Sequence, residues 1–183
     1  MGKTYPTIDD SVREFIHAQK VFFVGSAPLD ANGHVNLSPK GLDTLRILEP
    51  STVAYLDLTG SGIETIAHVK ENGRIVLMFC SFEGPPRILR IHGRGRVIEH
   101  QQVEFSSLAA HFPRYEGTRA IILVQVARIS DSCGYGVPRL KYEGERSQLS
   151  AWASKLGPEG LNEYRMRKNQ RSIDDITGLE KQG

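Results

Sequence analysis

The chain has 183 residues, 39% of them hydrophobic and 24% charged, with a formal net charge of +2. That is enough apolar material for one sizeable core without a second unit, so residues 1–183 are expected to form a single domain. Dispersed basic residues on a nearly balanced chain give no field to attract nucleic acid or an anionic membrane, and neither is expected as a partner.

The first residues, Met1-Gly2-Lys3-Thr4-Tyr5-Pro6, hold no apolar signal region. Ile8-Asp9-Asp10-Ser11 can start a helix that carries Val12, Phe15 and Ile16 on one face and ends near Gln19. Val21 to Gly25 reads as a short apolar strand. Asp30-Ala31-Asn32-Gly33 then turns the chain into a second strand, His34 to Ser38. Val53 to Leu58 and Arg74 to Phe79 are strands flanking a short helix. Within that helix, Ser61 followed three positions later by Glu64 has the form of a capping box, Ile63, Ile66, Ala67 and Lys70 share one face, and Asn72-Gly73 is a left-handed stop. The spacing predicts a helix over 62–72.

Thr59-Gly60-Ser61-Gly62 therefore leads into a helix start, where unpaired N–H groups and a partial positive charge suit a phosphate. A phosphorylated cofactor is the first hypothesis; the alternative is that the glycines only turn the chain. Arg87 to Ile98 alternates polar and apolar residues as a long half-buried strand. Gln101 to Phe112 is predicted helical, and Ala120 to Ser130 is another strand. Ser132-Cys133-Gly134-Tyr135-Gly136-Val137-Pro138 is a glycine-rich loop. Two helices, Gln148 to Leu156 and Gly160 to Asn169, are separated by Gly157-Pro158, and the tail after Arg171 is expected to be loosely held.

Cys80 and Cys133 lie far apart with no metal-like spacing, so no metal site is expected and a reducing, cytoplasmic setting is. No window approaches the ~18 uninterrupted apolar residues of a membrane span. Six strands joined mostly by short turns, with one helix inserted between neighbours, predict a mainly β (α+β) fold. Its form is a six-stranded antiparallel split β-barrel with flanking helices. The barrel is placed at about 8–132 and a helical C-terminal extension at about 145–170.

Val53 to Phe79 with its Glu71-Asn72-Gly73-Arg74-Ile75 is preceded by Gly33-His34-Val35-Asn36-Leu37-Ser38-Pro39-Lys40-Gly41 and followed by the basic strand to Val97. This ordered series resembles the pyridoxamine 5′-phosphate oxidase-like family of flavin-binding split barrels over residues 8–132. The resemblance implies a homodimer with FMN in clefts at the subunit interface. Carried over by position, the phosphate contacts are Ser38 and Lys40 from one segment and Thr59, Ser61, Gly62 and Thr65 from the turn and helix start. Where the true oxidase has a basic pair, this chain has Glu64-Thr65, so the compensating cations are sought in Lys40, Arg87 and Arg90.

Arg87 and Arg90 are an odd number of positions apart and point to opposite strand faces. Arg87, entering its strand from Gly84-Pro85-Pro86, is preferred for the ligand, and the outer face Arg90, His92, Arg94, Arg96 reads as a solvated edge. A flavin ring needs a flat apolar slot and a few backbone donors, and the loop with Cys133 and Tyr135 is the candidate to supply them from the opposing subunit; the alternative is that the cysteine is an inert small hydrophobe and the tyrosine only packs. His68 reads as a satisfied helix histidine, and Trp152 as a packing anchor.

The true oxidase closes on an Arg/His-bearing segment, which does not follow Trp152 here, so oxidation of pyridoxamine phosphate is not expected. The reading is an FMN-dependent oxidoreductase acting on a small molecule by hydride transfer at flavin N5, with no catalytic acid or base identified. The alternatives are a deazaflavin-dependent reductase and a non-enzymatic carrier or redox sensor of flavin or haem, with His34, His68 or His92 as candidate axial ligands.

Overall fold

The computed structural model describes residues 2–180; Met1, part of the segment read as holding no signal region, and residues 181–183 lie outside the described residues. Helix α1 (Asp10–Ala18) begins where Asp9 caps it, its carboxylate accepting from the Val12 N–H at 2.9 Å, and ends at Gln19 as the pattern predicts. Val12 and Ile16 carry its buried face.

The strands are β1 (Thr4–Tyr5), β2 (Phe22–Ser26), β3 (Asn36–Lys40), β4 (Leu45–Glu49), β5 (Thr52–Leu58), β6 (Arg74–Cys80), β7 (Ile88–Glu99) and β8 (Thr118–Ser132). They form one antiparallel sheet in the order β3-β2-β6-β7-β8-β5-β4, with β1 added beside the second half of β8. The architecture is the mainly β, helix-flanked split barrel expected, built as an open sheet with eight strands rather than six. The two additional strands left little trace in the sequence: β1 is two residues long, and β4 is only partly buried along its length. A third difference is register, because the strand placed at His34–Ser38 begins at Asn36 and runs to Lys40.

Strand β5 and the first half of β8 are buried on both faces. Val53 and Tyr55 join the principal core while Ala54 and Leu56 point into a second cluster with Ile98, Phe105 and Ile121. That division explains why Val53–Leu56 and Ala120–Val124 read as continuous apolar runs rather than alternating ones. Helix α3 (Phe105–Ala109) covers the second cluster and is much shorter than the predicted 101–112, with turns taking up the flanks.

Helix α2 (Glu64–Asn72) lies over the principal core through Ile66 and Val69 and stops at Gly73, whose φ of 69° is the left-handed conformation a C-terminal glycine supplies. Its start differs from expectation. The cap is Ile63, no side chain caps the helix, and the Ser61–Glu64 box does not form. Glu64 instead accepts from the Ile173 N–H at 3.4 Å.

Helix α4 (Gln148–Lys168) is two helical pieces meeting at Gly157, where φ is 64° and Pro158 follows, in agreement with the predicted break. Trp152 packs edge-on against Tyr164 across that break, with ring centroids 5.0 Å apart. The tail after Arg171, expected to be loose, is packed. Arg171 bridges Thr177, and Leu179 is buried in the principal core. The backbone approaches so closely at Gly178 that a Cβ there would lie 2.4 Å from the Asn169 carbonyl and 2.6 Å from Ile63. Polar composition hid one apolar anchor and a set of backbone bonds. No helix among the described residues is long and apolar enough to cross a membrane.

Candidate functional site

Asp57 is the one charged residue of strand β5 and is only 1% exposed. A carboxylate in that position must be paired. Its two oxygens accept from Lys40 Nζ at 2.7 Å and from Arg119 Nε at 2.7 Å. Burial alone would raise the Asp57 pKa, but the neighbouring charges of Arg119 and Lys40 outweigh it and bring the value to about 2. Lys40 ends the edge strand β3, so its bond to β5 ties together two parts of the sheet that share no ladder.

The same Arg119 reaches past Asp57 to the turn before α2. Its guanidinium donates to the Gly60 carbonyl at 3.1 Å and the Gly62 carbonyl at 2.7 Å. From the other side Asn169, fully buried, donates through Nδ2 to the Gly60 carbonyl at 2.9 Å and the Ser61 carbonyl at 3.4 Å. Thr59 is fixed by its N–H and hydroxyl, both donating to the Gly117 carbonyl, and its Oγ1 accepts from Arg165 Nε at 2.9 Å. Burial and the nearby charge of Arg119 lower the pKa of Arg165.

Three successive carbonyls of the turn are therefore drawn inward. Among the described residues, the N–H groups of residues 60–66 donate to no protein acceptor. Such a row of free amides, continued by the open end of a helix, has the form of an anion cradle, with the Glu64 carboxylate beside Gly62 at its rim. Ser61 and Gly62 are exposed.

Beside the cradle runs a polar strip. Asn36 Nδ2 donates to Thr65 Oγ1 at 2.9 Å, which occupies a lone pair of that hydroxyl and leaves its proton available. Ser38 Oγ donates to Asn36 Oδ1 at 3.2 Å, and Ser26 Oγ lies 3.0 Å from His68 Nδ1. Burial pushes the His68 pKa down, so the ring is held neutral, with Nε2 unpartnered. His34 is exposed and bonded through Nδ1 to Asp174 at 2.6 Å, and His92 lies on the solvated face of β7.

Arg87, Cys133 and Tyr135 stand elsewhere. They line an open cavity of about 710 Å³ together with Phe15, Glu83 and Asp131, and none of Ser38, Lys40, Thr59, Ser61, Gly62 or Thr65 borders it. The Arg87 guanidinium is held by Tyr5 Oη at 2.7 Å and Asp131 Oδ2 at 3.2 Å. Burial would raise the pKa of Asp131, but bonds from Tyr5 and the Lys3 N–H and the charge of Arg87 bring it below its ordinary value. Arg90 turns the other way and donates to Ser132 Oγ at 3.1 Å. Tyr135 is 82% exposed.

One chain thus divides the predicted residues into two groups, the cradle with its strip and the Arg87 cavity. Sequence reasoning missed Asn36, Asp57, Arg119, Arg165 and Asn169. A lone aspartate inside Val53–Leu58 was the available signal for the first buried ion pair; nothing local marked Asn169.

A protein-family model described as pyridoxamine 5′-phosphate oxidase matches residues 8–133. The pyridoxamine 5′-phosphate oxidase family protein ustO of Aspergillus flavus is 38% identical over 192 aligned residues, covering 96% of this chain and 77% of that one. Among solved structures, the H111A form of HupZ from Group A Streptococcus superposes with a TM-score of 0.55 at 22% identity, over 68% of this chain and 99% of that one. A pyridoxamine 5′-phosphate oxidase-related, FMN-binding protein of Nostoc punctiforme gives 0.52 at 10% identity, over 73% and 87%. These two likenesses fix the fold alone.

Proposed function

The chain belongs to the pyridoxamine 5′-phosphate oxidase family, and we propose that within it this protein is an FMN-binding flavoprotein, a homodimeric oxidoreductase acting on a small molecule. The observation that carries the reading is the row of unpaired N–H groups over residues 60–66, beside a turn whose carbonyls are turned inward to Arg119 and Asn169. A phosphate monoester presents several acceptor oxygens and no donor suited to a carbonyl, and the free backbone groups of this turn are donors.

In this reading the phosphate is held by the amides of Ser61, Gly62 and Thr65, with the free hydroxyl proton of Thr65, Ser61 Oγ and Ser38 as further polar contacts. Thr59 braces the turn through its bond from Arg165. Lys40 uses one of its three donors on Asp57 and keeps two for the anion. Glu64, the residue least compatible with a dianion, accepts from the Ile173 N–H through Oε1, while its Oε2 lies beside Gly62, 2.8 Å from where a Cβ there would stand, and would have to swing aside for the phosphate. The fold of an FMN-binding protein of Nostoc punctiforme is shared, which supports a flavin as the bearer of that phosphate.

A second subunit would bring Arg87, Cys133 and Tyr135 of its own cavity to the ring. The separation of the two groups within one chain supports this arrangement, as do Val35 and Leu37, apolar side chains 78% and 63% exposed on the edge strand β3 and the turn leading into it. Tyr5 and Asp131 fix the direction of the Arg87 guanidinium. When bound, the flavin would supply hydride transfer at its N5; this chain's side chains orient and desolvate it.

The test is to purify the protein, measure its visible flavin absorption and FMN released on denaturation, titrate the stripped protein with FMN by calorimetry, and add NADPH without air. A yellow dimer that takes up one FMN per chain and bleaches is the expected result. A colourless preparation giving no heat with FMN overturns the reading.

A further inference from the structure

Two buried polar side chains, Arg119 and Asn169, meet at the carbonyls of one four-residue turn. Asp57, Arg119 and Lys40 form a buried ionic cluster where apolar side chains of similar size would commonly be as stable or more so. Asn169 is fully buried and satisfies only half of its amide, since Nδ2 serves the Gly60 and Ser61 carbonyls while Oδ1 has no partner. The orientation is forced, because turning the amide over would set its oxygen against two carbonyl oxygens. An unpaired buried oxygen is a standing cost, and what the fold obtains for it is the direction of two peptide planes.

Asn169 lies beyond residues 8–133, the part of the chain that matches the family model. It follows α4 and is locked by its own backbone, with its N–H donating to the Arg165 carbonyl at 2.7 Å and its carbonyl accepting from the Leu179 N–H at 2.9 Å. Leu179 in turn is buried in the principal core. Arg165, one turn earlier, donates to Thr59 at the entry to the same turn. The C-terminal extension therefore reaches back to the phosphate cradle at two consecutive points.

We infer that Asn169 is a positioning residue for the cofactor phosphate. By holding the Gly60 and Ser61 carbonyls inward it keeps their peptide N–H groups facing the anion, so the C-terminal extension sets the preference for a phosphorylated flavin over its dephosphorylated form. The inference rests on the proposed flavin site and deepens it. Asn169 touches no ligand in this scheme; it acts through the turn.

The experiment compares FMN and riboflavin affinities by calorimetry in the full-length protein and in two variants, Asn169→Asp, which keeps the shape but loses the donor, and Asn169→Ala, which loses the donor without adding charge. Denaturant midpoints confirm that each variant is folded. The expected result is a fall in FMN affinity of about tenfold in both variants with riboflavin affinity unchanged, tenfold being the scale of one hydrogen bond. A merely structural role would weaken both ligands together. If the unaltered protein prefers FMN and both variants keep that preference, the inference fails while the flavin reading stands. If the unaltered protein itself shows no preference for FMN, both fall.

Discussion

Asp57→Asn is the sharpest probe of the buried charges beneath the turn. In the native protein the carboxylate is 1% exposed and bonded to Lys40 and Arg119, and its pKa is about 2 against an ordinary 3.8. Because the folded value is depressed, the stabilisation it represents is fully present above pH 4 or so. It is lost as the pH falls toward 2. Carrying a pKa through that interval corresponds to about 2 kcal/mol. The amide also turns an NH₂ toward one of two cations left without a counter-charge, which moves the cost toward the ~3–5 kcal/mol of a broken buried pair.

A loss of about 2–4 kcal/mol leaves a domain of ordinary stability folded at neutral pH, and with a urea slope of about 2–3 kcal/mol per molar it shifts the unfolding midpoint by roughly 1 M. Urea unfolding of both proteins at steps from pH 7 to pH 2 is the assay. The gap between them should be widest at neutral pH and should narrow below pH 4, since the aspartate of the unfolded chain then takes up a proton that the folded one, with its pKa of about 2, accepts only at lower pH. A gap that stays constant down to pH 2, or no gap at pH 7, would show that Asp57 is not held as the charged partner of Lys40 and Arg119.

Lys40→Ala leaves Asp57 its bond from Arg119, so its stability loss should be smaller than that of Asp57→Asn, while FMN affinity falls about 10- to 100-fold through loss of a charged phosphate contact; calorimetry at fixed salt reads it, and unchanged affinity removes Lys40 from the site. Gly73→Ala forces a side chain into φ 69° at the end of α2 and should cost about 1 kcal/mol, seen as a lower denaturation midpoint with FMN binding intact. A midpoint equal to that of the parent protein would contradict the left-handed stop.

The elements whose signals are local were legible from the residues. Asp9 with Val12 and Ile16 gave α1, Asn72-Gly73 ended α2, and Gly157-Pro158 split α4, because caps, stops and breaks are decided within a few residues of backbone. The helix-flanked antiparallel sheet followed from strands joined by short turns. What the chain could not disclose locally is where distant polar atoms meet. Ser61 and Glu64 have the spacing of a capping box, yet the turn's carbonyls bond Arg119, 57 residues beyond Gly62, and Asn169, 108 residues beyond Ser61. Those partners decide which way the peptide planes face, and the local cap does not form. Sequence spacing thus determined that a helix starts beside Gly62 and that its first amides lack helical partners; tertiary structure alone decided which distant donors take the turn's carbonyls, since a hydrogen bond is settled by proximity in space and not along the chain.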